Sequence, residues 1–160
     1  MLSKTKEERQ SSVSTCPSYM PIQFFSEEID FHLQDQERFA QWLISIAHQN
    51  DHEIVDLNYI FCSDEYLLKI NKQYLDHDYY TDIITFDHSE AAGKTIEGDI
   101  FISLDRVREN AMDLAPSFQE ELHRVIAHGI LHLIGFNDKT DEEKEVMTEK
   151  ENACLSLLKD

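Results

Sequence analysis

Two histidines stand four residues apart in HGILHLIGFND, the stretch from His128 to Asp138. On a helix, 100° per residue places His128 and His132 about 40° apart, one turn along the same face. Both imidazoles can then reach one ion, as on metalloprotease helices. Gly135 suits a helix C-cap in the left-handed conformation, and a chain reversed there returns Asp138 toward the pair. Two imidazoles, one carboxylate and an open fourth position describe a catalytic-type zinc site rather than a closed structural one. Such an ion polarises a substrate oxygen and lowers the pKa of a water toward ~7. The competing reading is an inward helix face that carries structural histidines. On the residues alone the two readings stand level.

Gly129 removes bulk beside the first histidine and costs the helix about 1 kcal/mol against alanine. A broken local rule at such a place points to function. It also argues against a peptidase, because zincins carry their general base, a glutamate, directly after the first histidine. No residue stands out as a general base. His123 lies about 140° from His128 around the helix and is expected to face solvent. His32, His48, His52, His77 and His88 have no comparable spacing and are read as surface or core residues.

Several elements must position this stretch. Strands are expected at Pro21–Phe25, Glu53–Cys62, Asp82–Asp87 and Gly98–Ser103, with a loop over Ser89–Ile96. Asp35–Asn50 has apolar residues at Phe39, Trp42, Leu43 and Ile46, a helical spacing. Ser63 caps a second helix that ends near Leu75, and Leu104–Leu114 forms a third. Pro116 breaks the chain there, and Ser117 with Glu120 makes a capping box for the helix that runs to Gly135. The last helix, Asp141–Leu158, takes Asp141 as its N-cap and Val146, Met147, Ala153, Leu155 and Leu158 as its apolar positions. The order predicts an α+β domain: a small mixed four-stranded sheet packed with about five helices, the zinc site on a C-terminal helix.

At 160 residues one domain is the default, assigned to residues 20–160. Residues 1–19 are polar, lack the apolar core of a secretory signal and read as a disordered extension. Cys16, Cys62 and Cys154 are too scattered for a disulfide framework and suggest reduced thiols in the cytoplasm. No apolar run reaches the length of a membrane span. The formal net charge of −18 repels nucleic acid and attracts cations.

His128, Gly129, Leu131, His132, Leu133, Gly135 and Phe136 match in register the signature H-G-x-L-H-L-x-G-[YF]-D-H. This stretch resembles the YbeY family of bacterial endoribonucleases and ribosomal RNA maturation factors. INKQYLDHDYYTDIITF (Ile70–Phe86) is similar to the family's L-N-x-x-Y-R…T-D-V-L-S-F block, and EGDIFIS (Glu97–Ser103) to its L-G-D-I segment. The blocks keep the family's order over roughly residues 54–158. The family's third histidine falls on Asp138 and the aspartate before it on Asn137. A carboxylate still binds zinc at ordinary distance, though as a harder donor. The family's arginine, a natural phosphate partner, falls on Leu75. Lys72, one turn earlier, is the nearest substitute.

The resemblance implies one Zn2+ per chain on His128, His132 and Asp138. It implies a single-strand-specific endoribonuclease in rRNA maturation, at the 3′ end of the small-subunit rRNA, and in ribosome quality control. The expected partner is ribosomal RNA, presented on the ribosome or by a ribosomal protein, with no DNA and no membrane. The expected chemistry is attack on the phosphodiester by a water or an RNA 2′-hydroxyl, with charge on the phosphate oxygens stabilised by the ion. The alternatives are a non-catalytic ribosome-assembly factor with a structural metal, which the charge and Leu75 favour, and a metal-dependent hydrolase of another substrate. Elsewhere Asn71 is expected to bond a neighbouring backbone group, Thr81 and Asp82 to open one strand and Gly98 and Asp99 the next. Asp99 is also a candidate to hold a ligand histidine from behind.

Overall fold

The computed structural model describes residues 20–90, 93–114 and 117–158, without the side chain of Leu114. The expected disorder of residues 1–19, Cys16 and the break at Pro116 lie outside them. The described elements run β1 (Ile22–Glu27), α1 (Gln36–Gln49), β2 (Glu53–Cys62), α2 (Asp64–Leu75), β3 (Ile83–Asp87), β4 (Thr95–Ser103), α3 (Leu104–Leu114), α4 (Phe118–Ile134) and α5 (Asp141–Leu158). The strands form one sheet in the order β1-β2-β4-β3. β1 and β4 pair parallel to β2, and β3 pairs antiparallel to β4 at the edge. The α+β class and the mixed four-stranded sheet agree with the expectation.

β2 and β4 lie between neighbours on both sides, and both sheet faces are covered. Leu57, Tyr59 and Phe61 of β2, with Ile96, Ile100 and Ile102 of β4, bury one face against α1, α4 and α5. Cys62, Leu67 and Ile84 centre a smaller cluster on the other face, where α2 packs. Two buried donors tie the layers together. The Tyr59 hydroxyl donates to the Ile126 carbonyl at 2.7 Å, and Trp42 Nε1 donates to the Cys154 carbonyl at 2.7 Å. Each group would cost about 1–3 kcal/mol if buried without its partner. Cys62 and Cys154 are buried free thiols.

Four local expectations need correction. β4 begins at Thr95, so Gly98 and Asp99 lie within the strand and the preceding loop is shorter. The cause is long-range: Glu53 and Ile54 at the start of β2 offer partners to Thr95 and Ile96. Asp82 does not open a strand, for β3 starts at Ile83. Asp141 is not a cap. The Thr140 hydroxyl accepts from the Glu143 amide at 3.0 Å, and the Glu143 carboxylate accepts from the Thr140 amide at 2.9 Å, a capping box one residue earlier. Lastly, α5 buries Met147, Glu151, Cys154 and Leu158. Their 4-3-4 spacing defines one face and leaves Val146 44% exposed and Ala153 outward.

Candidate metal centre

α4 supplies two of the three donors, and its ends explain its extent. The Ser117 hydroxyl accepts from the Glu120 amide at 3.1 Å, as the capping pattern predicts. Gly135 ends the helix with φ 126°, and its amide and that of Phe136 reach back to the Leu131 carbonyl at 3.1 and 3.0 Å. That reversal carries Asp138 back over the helix end.

His128, His132 and Asp138 come together. His128 Nε2 and His132 Nε2 are 2.9 Å apart, and Asp138 Oδ2 lies 3.3 and 3.4 Å from them. All three residues are partly buried, and theirs is the one such group of potential metal ligands among the described residues. A tetrahedral ion with bonds of ~2.0–2.1 Å separates its donors by about 3.4 Å. Two edges of the triangle match this, and the third requires ring movement of about half an ångström. The donor set fits a metal ion that prefers nitrogen and oxygen, so the group could hold one.

The surroundings favour positive charge at His128. Glu151 of α5 is 7% exposed and sits behind His128, with Oε2 2.6 Å from Nδ1. Its Oε1 accepts from Arg124 at 3.0 Å. Burial pushes the His128 imidazole down, but Glu151, Asp138 and Asp82 outweigh it and leave it raised. His132 is lowered by burial and then by the charge of His128. Burial raises the Asp82 carboxyl against the opposing pull of His128, and the Glu121 carboxyl against that of Arg124.

Several assignments change. Asp99 does not support a ligand histidine: its oxygens meet Asn58 Nδ2 at 3.0 Å and His88 Nε2 at 3.1 Å. Glu151 occupies that role's position instead, and sequence reading missed it. The signal was a carboxylate in the apolar stripe of α5. His123 is not turned to solvent. It is half-buried, with its ring 5.1 Å from that of Phe39, and it stands apart from the metal group as expected. Gly129 serves packing: a Cβ there would lie 3.0 Å from two Ile100 methyls and 3.1 Å from Ile83 Cδ1, so the glycine lets α4 approach β3 and β4. Asn71 bonds backbone as expected, through the Tyr79 carbonyl at 2.9 Å. Lys72 is engaged with Asp78 at 3.3 Å, both side chains exposed.

A family model described as Endoribonuclease YbeY matches residues 21–159. A protein of Cytophaga hutchinsonii named Endoribonuclease YbeY is 57% identical over 86% of this chain and 96% of its own length. One of the same name from Parabacteroides distasonis is 49% identical, covering 87% of this chain and 96% of its own. Among solved structures, TM1509 from Thermotoga maritima matches with a TM-score of 0.59 and 26% identity, over 86% of this chain and 88% of that one. Motif, fold and near full-length matches agree, and the chain belongs to the YbeY family.

Proposed function

We propose that the protein is a zinc-dependent, single-strand-specific endoribonuclease of rRNA maturation, with His128, His132 and Asp138 as its zinc ligands. The carrying observation is the partly buried three-donor group, in a chain whose relatives are named endoribonucleases. A zinc ion bound there supplies Lewis-acid stabilisation of phosphate charge and activation of the attacking oxygen. The two imidazoles and the carboxylate fix where that chemistry happens. Leu75 stands where the family's arginine would and Lys72 is paired with Asp78, so neither position offers a free cation to the phosphate.

The protein contacts RNA locally and with assistance. A charge of −18 opposes the wide phosphate contact that drives counterion release. The natural site of action is the 3′ end of the small-subunit rRNA, in the cytoplasm, where the ribosome or a ribosomal protein presents the strand. No helix among the described residues is long and apolar enough to cross a membrane.

Stacking needs no net charge. Tyr74, Tyr79 and Tyr80 are exposed around the turn that follows α2. Tyr79 stacks on His77 at 5.1 Å, and the buried Asn71 fixes its carbonyl. Tyr80 donates to Glu65 at 2.7 Å and lies under the Arg106 guanidinium. This segment leads into Asp82, whose carboxyl feels His128 and Asp138. Rings held this way suit unpaired bases, at about 1–3 kcal/mol each. Tyr79→Ala should therefore raise KM for a single-stranded oligoribonucleotide by roughly tenfold with kcat little changed, as steady-state cleavage kinetics would reveal.

The reading as a whole is tested by incubating purified protein with single-stranded and duplex RNA, alone and with small ribosomal subunits. Cleavage of the single strand should stop with a chelator and return with one equivalent of zinc. Zinc-loaded protein that cuts nothing in either setting would leave the non-catalytic assembly factor in its place.

A further inference from the structure

Glu151 is a costly residue to have where it is. It lies on the buried stripe of α5, between Met147 and Cys154, where a carboxylate without partners would be strongly disfavoured. Both oxygens are used, one by Arg124 and one by His128. Arg124 also donates to Asn152 at 3.1 Å, which fixes the guanidinium against the same helix. α5 is in turn anchored on α1, because Trp42 and Arg38 donate to the carbonyls of Cys154 and Leu158.

We infer that Glu151 is a positioning residue that holds His128 in its ligating tautomer and orientation and so sets metal affinity from the neighbouring helix. A carboxylate 2.6 Å from Nδ1 keeps the proton on that nitrogen. The Nε2 lone pair is then left facing His132 Nε2 and Asp138 Oδ2. Carboxylates placed behind ligating imidazoles also raise their basicity. Glu151 meets the ring on the side away from the donor triangle, so it is not itself a fourth ligand. Asp138 is carried by the turn after Gly135, whereas His128 is held from the neighbouring helix α5. Docking of α5 thus completes a centre whose ligands all come from α4 and its turn.

This inference rests on the zinc reading above, and the two can fail separately. Zinc is titrated against a competing chelator, without RNA, for wild type, Glu151→Ala and Glu151→Gln. Thermal midpoints are recorded with and without zinc. Glu151→Ala should bind one zinc with affinity lowered 10–100-fold, and its zinc-induced rise in midpoint should shrink. Glu151→Gln keeps an acceptor oxygen at nearly the same volume but loses the charge, so its loss should be smaller. It also carries the test if the alanine variant does not fold. Imidazole nitrogen shifts in the metal-free protein should place the His128 proton on Nδ1 in wild type and not in Glu151→Ala. A lower metal-free midpoint with unchanged zinc affinity in both variants would make Glu151 a packing residue and overturn the inference alone. Wild type that binds no zinc would overturn the metal reading, and this inference with it.

Discussion

His128→Ala is expected to reduce bound zinc from about one ion per chain to almost none and to lower RNA cleavage by roughly three orders of magnitude. The substitution removes the donor shared by both short contacts, 2.9 Å to His132 and 3.3 Å to Asp138. It also leaves the Glu151 carboxylate with Arg124 alone. Asp138→Ala should weaken zinc strongly too, because two nitrogens on adjacent helical turns make an incomplete site. Asp138→His should retain or strengthen binding, since imidazole is the softer donor. His123→Ala should leave the metal in place and disturb only the packing on Phe39. Metal analysis of chelator-free preparations checks all four. Zinc that stays with Asp138→Ala would remove Asp138 from the ligand set.

What the sequence made legible was mostly local. All three proposed ligands fall within one helix and its turn, so periodicity and one glycine were enough to bring them together. The Ser63 cap was equally local: its hydroxyl accepts from the Tyr66 amide at 3.1 Å. What escaped depends on other segments. The start of β4 is set by β2, 42 residues earlier in the register Glu53↔Thr95. Glu151 was hidden because α5 was read from apolar residues alone, and a carboxylate on a buried stripe has no meaning until Arg124 and His128 are seen beside it. Gly129 was read as clearance for a ligand, whereas its neighbours are Ile100 and Ile83. His123 escaped because helix geometry separates it from His128 without saying that α1 brings Phe39 to cover it. Asp141 and Thr140 are adjacent and both cap well, and the reciprocal bonds between Thr140 and Glu143 distinguish them.

The largest effect on stability is expected from Gly98→Ala, at a residue that contributes no side chain to the centre. Gly98 lies within β4, opposite Leu57 in the parallel pair and Asp87 in the antiparallel pair. A Cβ there would sit 2.3 Å from the Phe86 carbonyl oxygen and 3.3 Å from Leu133 Cδ1. A side chain can rotate out of such a contact, but a carbonyl in a strand can yield only if β3 moves. β3 is the edge strand and carries Asp82 just before its start, while Leu133 is the residue after His132, so both ways of relieving the clash disturb the metal centre. Overpacking of this kind costs about 1–3 kcal/mol, or more where backbone must shift. Because backbone must shift, the upper end of about 3 kcal/mol applies, and at about 2–4 °C per kcal/mol for a chain of this length the midpoint should fall by roughly 6–12 °C. Gly129→Ala provides the comparison. Its added methyl would meet only side-chain atoms, at 3.0 and 3.1 Å, and it gains about 1 kcal/mol of helix propensity in return. Its loss should be the smaller of the two. Thermal or urea unfolding of both variants, with zinc present and absent, measures the difference. A Gly98→Ala protein that melts with wild type, or above Gly129→Ala, would mean that the β3–β4 pair yields to a methyl group at no cost and that the glycine is there for another reason.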